Sequence, residues 1–269
     1  MSGSSSRVVS GGDRRALLTG IVAGLLNLLL VVVLYARDGY PTLESPAATA
    51  VLAVTTLLVG AIPMFVTVQT RLLTPGIGFL TLLIGATTLD LRTPAPEWGE
   101  LDGYVIVEGP THVGSYANRW YLWLGLLLYA GVLEFAVRRR YGIAENRLRD
   151  LPAIPSSRAG RLRIAAAGGV LIGIATALLV LESGIRPPLA ATAVFVVAFA
   201  VALVPLVGLL ERRLILPTLL FLALVPYLLV FEAFVTTDSP VHIFLFGPYA
   251  ILLAAVGLLE AIVRSRFGE

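Results

Sequence analysis

Eight stretches of this 269-residue chain carry almost no charge for about 20 residues at a time, the length an α-helix needs to cross the hydrocarbon core of a bilayer. They run approximately from Ala16 to Tyr35, Ala47 to Val68, Leu72 to Leu89, Trp120 to Val137, Ile164 to Leu181, Pro188 to Leu210, Leu214 to Val235 and Val241 to Val263. Hydrocarbon offers no water to a bare N–H or C=O, so stretches of this kind are satisfied as helices. Composition agrees: 57% of residues are hydrophobic and 14% charged, against about 25% charged in a soluble domain. The first stretch follows Arg14-Arg15, but it is long for the apolar core of an export signal, and Ala36-Arg37-Asp38 is a poor cleavage site. It reads as a membrane helix.

Orientation follows from arginine, because basic residues near helix ends stay on the cytoplasmic side. With the N-terminus inside, only Arg37, Arg92, Arg119 and Arg186 of the 20 basic residues fall outside. The expected location is therefore the cell membrane, multi-pass, with both termini cytoplasmic. Trp120, Tyr121 and Trp123 open the fourth span as an outer aromatic anchor would. Two extramembrane stretches stand out. The outer one, Arg92 to Arg119, is acidic and aromatic, with Tyr104-Val105-Ile106-Val107 as a short strand. The inner one, Arg138 to Arg163, is rich in arginine around a Pro/Ser/Gly-rich middle.

Motifs recur across that inner stretch. Gly131-Val132-Leu133-Glu134 precedes Arg138, and Gly257-Leu258-Leu259-Glu260 precedes Arg264, 126 positions later. Arg71, Pro75, Phe79 and Asp90 align with Arg213, Pro217, Phe221 and Glu232 at 142 positions, and Pro63 with Pro205 at the same offset. Arg14, Gly20 and Gly24 align with Arg163, Gly169 and Gly173 at 149 positions. Offsets that fall in order along the chain are what a duplication followed by loop changes leaves behind. Four helices per unit make the copies enter the membrane in the same direction. The expected fold is an all-α polytopic membrane protein of eight transmembrane helices in two parallel four-helix repeats. Residues 1–142 form the first repeat with its N-terminal tail, 143–162 a basic cytoplasmic linker and 163–269 the second repeat.

The absence of cysteine removes disulfides, thiolate metal sites and cysteine nucleophiles. All 20 basic residues are arginine, so a lysine Schiff base is excluded as well. His112 and His242 have no convergent acidic spacing, which leaves neither metal nor cofactor expected. Arginines scattered over many helix ends do not form a nucleic-acid groove. Ionisable groups inside a span are costly and usually face the bundle interior or a wet cavity. The candidate substrate- or ion-binding residues are therefore Glu134, Glu260, Asn27, Asp90 and Glu232. The opposite reading of Glu134 and Glu260 is interfacial, since each has an arginine four residues on. Gly20-x-x-x-Gly24 and Gly169-x-x-x-Gly173 allow close helix contact, either between the first and fifth spans or within each unit. Pro63, Pro75, Pro205, Pro217, Pro226 and Pro248 interrupt apolar segments as kinks.

These residues suit a small secondary transporter or channel-like permease with a path between the repeats. The alternative is a non-catalytic membrane scaffold or assembly factor. Its Arg-rich loop, residues 138–163, would recruit an anionic lipid or protein partner. An intramembrane enzyme has only the carboxylates in its favour. Reporters fused after Arg119 and after Asp238 are expected outside, and those after Arg149 and at the C-terminus inside; an inside signal at Arg119 would overturn the eight-span topology.

Overall fold

The structure is a computed structural model that describes residues 11–182, 188–234 and 241–267. Arg7, Arg186, Asp238 and Gly268 lie outside the described residues. The helices are α1 (Gly11–Arg37), α2 (Pro46–Thr70), α3 (Thr74–Arg92), α4 (His112–Asn118), α5 (Trp120–Tyr141), α6 (Arg158–Glu182), α7 (Pro188–Arg212), α8 (Leu216–Phe234), α9 (Val241–Phe244) and α10 (Phe246–Phe267). A hairpin of β1 (Glu97–Leu101) and β2 (Tyr104–Glu108) lies between α3 and α4. Among the described residues, eight helices are long and apolar enough to cross a membrane, and α4 and α9 are not among them. The protein is an integral, multi-pass membrane protein. On α1, Leu18, Leu25 and Leu29 are 61%, 51% and 61% exposed, an apolar stripe that meets lipid and not water.

Residue chemistry explains where the helices begin. Proline fixes φ and lacks an N–H, so it suits a first helical turn. Pro75 and Pro217 open α3 and α8, and Pro248 sits in the first turn of α10. These three mark helix starts, whereas Pro63, Pro205 and Pro226 do lie inside helices. The last span consequently begins at Phe246, after the separate turn α9, and not at Val241.

The strand expected at Tyr104–Val107 is β2, paired antiparallel with β1 so that Trp98 faces Val107 and Leu101 faces Tyr104. Its two-residue Asp102-Gly103 turn has positive φ at both positions, the geometry that matches hairpin twist. Trp98 anchors the hairpin by donating from Nε1 to the Asp38 carbonyl at 2.8 Å and packing edge-on to Tyr40.

α1 packs along α2, and α6 along α7. Gly20 and Gly24 face the carbonyls of Ala61 and Leu57 on α2, while Gly169 and Gly173 face Phe199 and Phe195 on α7. Both small-residue pairs therefore serve contacts within their own half, and the alternative of a central contact between the first and fifth spans is not the one realised. The central member is α5. Gly125 lies against Leu171 and Ala175 of α6, Tyr129 donates to the Ala202 carbonyl of α7 at 2.6 Å, and Trp123 stacks on Phe234 of α8. A single apolar core runs from Val31 through Trp123 to Leu253.

A Cβ at Gly24 would stand 2.7 Å from the Leu57 carbonyl oxygen, whereas one at Gly85 would meet nothing within 4 Å. Gly24→Val is expected to lower stability by roughly 1–3 kcal/mol through overpacking. Gly85→Ala should leave it unchanged or slightly raised. Thermal unfolding of both variants in detergent checks the contrast.

Candidate functional site

Glu134 and Glu260 are positioned by two tight reversals. α2 ends at Arg71, which takes a left-handed φ of 60°, and α3 starts three residues later. That leaves the first amides of α3 without intrahelical partners. Glu134 on α5 supplies them: its carboxylate accepts from the Leu73 amide at 3.0 Å, the Thr74 amide at 2.7 Å and the Thr74 hydroxyl at 2.8 Å. Arg138 closes the set at 2.6 Å. Gly131 permits the approach, since a Cβ there would stand 3.0 Å from Pro75 Cγ.

The other half carries the same arrangement. Arg213 has a left-handed φ of 56°, and the Glu260 carboxylate accepts from the amides of Ile215 at 3.1 Å and Leu216 at 3.0 Å. Arg264 lies at 2.7 Å, and a Cβ at Gly257 would stand 3.1 Å from Pro217 Cγ. The side chains of Glu134 and Glu260 are 10% and 7% exposed, so their face points into the bundle. A carboxylate opposes the dipole at the end of its own helix but complements the positive start of the helix it caps. The arginine supplies the remaining counter-charge.

At the opposite end Asp90 is also a cap. It accepts from the Val113 amide of α4 at 3.0 Å and pairs with Arg37 at 3.0 Å, while Arg37 also holds Asp38. Glu232 is buried on α8, within the field of Arg119, whose guanidinium donates to the neighbouring Ala233 carbonyl. Burial lowers the Arg119 pKa and raises that of Tyr40, the hydroxyl that accepts from the Gly114 amide. Asn27 is fully buried between α1, α2 and α4. It donates to the Thr56 carbonyl at 2.7 Å and accepts from the Tyr116 hydroxyl at 2.9 Å. His112 lies at the start of α4 with its ring 6.3 Å from that of Phe234, and the side chain of His242 lies outside the described residues. No group of His, Asp and Glu able to hold a metal occurs among the described residues.

The five candidates do not meet in one cavity. Glu134 and Glu260 serve different hairpins, and Asp90, Glu232 and Asn27 each have their own surroundings. A cavity of about 510 Å³ does lie between α3, α5 and α8, but Leu82, Leu89, Leu126, Leu127, Phe221 and Val230 dominate its wall, and none of the five lines it. Arg37, Thr74, Tyr116 and Tyr129 are polar members of these contacts that the sequence reading did not single out. Prolines four residues after each of Arg71 and Arg213 were the available signal that a helix start needed capping. These features define a polytopic α-helical membrane protein whose intramembrane charges join helix ends. Comparison with protein-family models, with curated proteins and with solved structures finds no match.

Glu134→Gln keeps an acceptor oxygen but loses the ion pair and the charge-assisted bonds. Each of Glu134→Gln and Glu260→Gln is expected to lower stability by roughly 1–3 kcal/mol. The two losses should add, because the residues share no partner. Thermal unfolding of the two single variants and the double variant measures both size and additivity.

Proposed function

We propose that the protein is a non-catalytic membrane scaffold built from two parallel four-helix repeats. Residues 1–142 and 163–269 form the repeats and 143–162 the basic linker, in the cell membrane with both termini cytoplasmic. The observation that carries this reading is the occupancy of the carboxylates: Glu134 and Glu260 each accept from two successive backbone amides and an arginine. Asp90 is engaged in the same manner by Val113 and Arg37. A coupling ion or proton would have to break a cap to bind. Glu134, Glu260, Asn27, Asp90 and Glu232 are accordingly assigned to helix joining and not to substrate. The duplication is supported by the matched left-handed residues Arg71 and Arg213 and by the matched Gly–Pro contacts beneath the two glutamates. The linker is tied to its surroundings, with the Arg149 amide donating to the Thr70 carbonyl at 3.1 Å and Arg139 to the Leu151 carbonyl at 3.0 Å. Arg161 is paired with Glu211, which leaves Arg147 and Arg158 as the linker arginines offered to a partner.

One observation favours a second reading, a permease with a path between the repeats. The 510 Å³ cavity lies where α5 of the first half meets α8 of the second. Its apolar wall would suit an apolar cargo, not an ion.

Proteoliposomes with an internal pH dye and an imposed potassium gradient test the assignment of the carboxylates. The scaffold reading expects no protein-dependent proton or cation flux. A flux that disappears in a folded Glu134→Gln, Glu260→Gln variant would overturn it and restore these residues to a transport mechanism.

A further inference from the structure

At the arginine-rich end of the second half, α7, α8 and α10 enclose a cavity of about 670 Å³, within the ~300–1,000 Å³ range of small-molecule sites. Much of its wall is apolar, with Leu203, Val204, Val207 and Leu253, and it is also lined by Leu258 of the spanning helix α10, which is 57% exposed. Its rim carries Arg158, Glu211 and Arg212. Glu211 is already engaged, accepting from Arg161 at 2.9 and 3.1 Å. Arg158 and Arg212 form no salt bridge among the described residues. Behind the rim, Arg140 feels the repulsion of Arg161 and Arg213 against the attraction of Glu211 alone, and its buried Nε has no hydrogen-bond partner. Glu260, three residues beyond the lining Gly257, is held by its own cap and Arg264. Arg158, Arg161 and Arg140 thus share the Glu211 carboxylate, and Arg212 stands beside it at the rim of an apolar slot.

We propose that this cavity seats one acyl chain of an anionic phospholipid whose phosphate is held between Arg158 and Arg212. Basic pockets between transmembrane helices at an interface bind anionic headgroups. The apolar wall distinguishes a lipid from a free phosphate, which would gain nothing from Val207 or Leu253. Leu258 in its lining belongs to the exposed apolar face of a spanning helix, a face that lipid covers and a soluble protein does not. The scaffold reading needs no lipid here, so this inference goes beyond it and stands or falls separately.

The test uses the purified, delipidated full chain in neutral detergent. Phosphatidylglycerol, phosphatidylcholine and inorganic phosphate are each added, and unfolding temperature is read alongside lipid retention in native mass spectrometry. Phosphatidylglycerol is expected to raise the unfolding temperature well beyond phosphatidylcholine and to be retained. Arg158→Gln with Arg212→Gln should cut that preference roughly thirty-fold, from two guanidiniums worth about 1 kcal/mol each at a membrane surface. Val207→Trp, which fills the slot with every charge intact, should cut retention as well. Equal effects of the two lipids, or an undiminished preference in the double arginine variant, would overturn the proposal. So would inorganic phosphate alone reproducing the full shift.

Discussion

A backbone amide inside a bilayer has no water to fall back on, and a helix begins with four amides that its own hydrogen bonds leave bare. The rest of this structure is arranged around that shortage. α2 and α3 are joined by so short a turn that the start of α3 lies beside α5, and the same holds for α7, α8 and α10. Long capping loops are absent from both joins. The caps therefore come from neighbouring helices: Glu134 for α3, Glu260 for α8 and Asp90 for α4. Each carboxylate is costly to bury alone, and each arginine would be too. Together with the amides they form a closed set, which locks three helices at each of the Glu134 and Glu260 corners.

Those locks position the remainder. With α3 held against α5 by Glu134, the other face of α5 is left to meet the second half through Gly125, Tyr129 and Trp123. α10, which carries the matching Gly-x-x-Glu motif, turns Leu252, Leu258 and Leu259 outward. Two helices with the same motif thus lie in different environments. The difference also separates the cavities: one lies behind α5 between the halves and is apolar, while the other lies beside α10 and is apolar within and cationic at the rim.

The functional reading rests on the same chemistry. A carboxylate that moves a proton or an ion needs a free coordination position and access to water. Glu134 and Glu260 have three or more donors each and face the bundle. Asn27 likewise has its amide donor on Thr56 and its oxygen on Tyr116. Polar groups inside the membrane here hold helices together, and the uncompensated charge lies at the arginine-rich end.

The number and approximate limits of the membrane helices were legible in the sequence, because about 20 apolar residues in lipid have few alternatives to a helix. The hairpin strand was legible as well, as the β-prone run Tyr104 to Val107, and the structure adds the Asp102-Gly103 turn that pairs it with β1. So were the five candidate polar residues, as chemistry out of place in a span. Their partners were not legible. Leu73 and Thr74 lie about 60 positions from Glu134, and Tyr116 lies 89 from Asn27 in a helix too short for any hydropathy signal. A Glu four residues before an Arg reads the same whether the pair is an interfacial charge, a proton site or a cap. Only tertiary packing reveals the cap, because a cap is defined by whose amides the carboxylate meets. That depends on how helices distant in sequence come together in space.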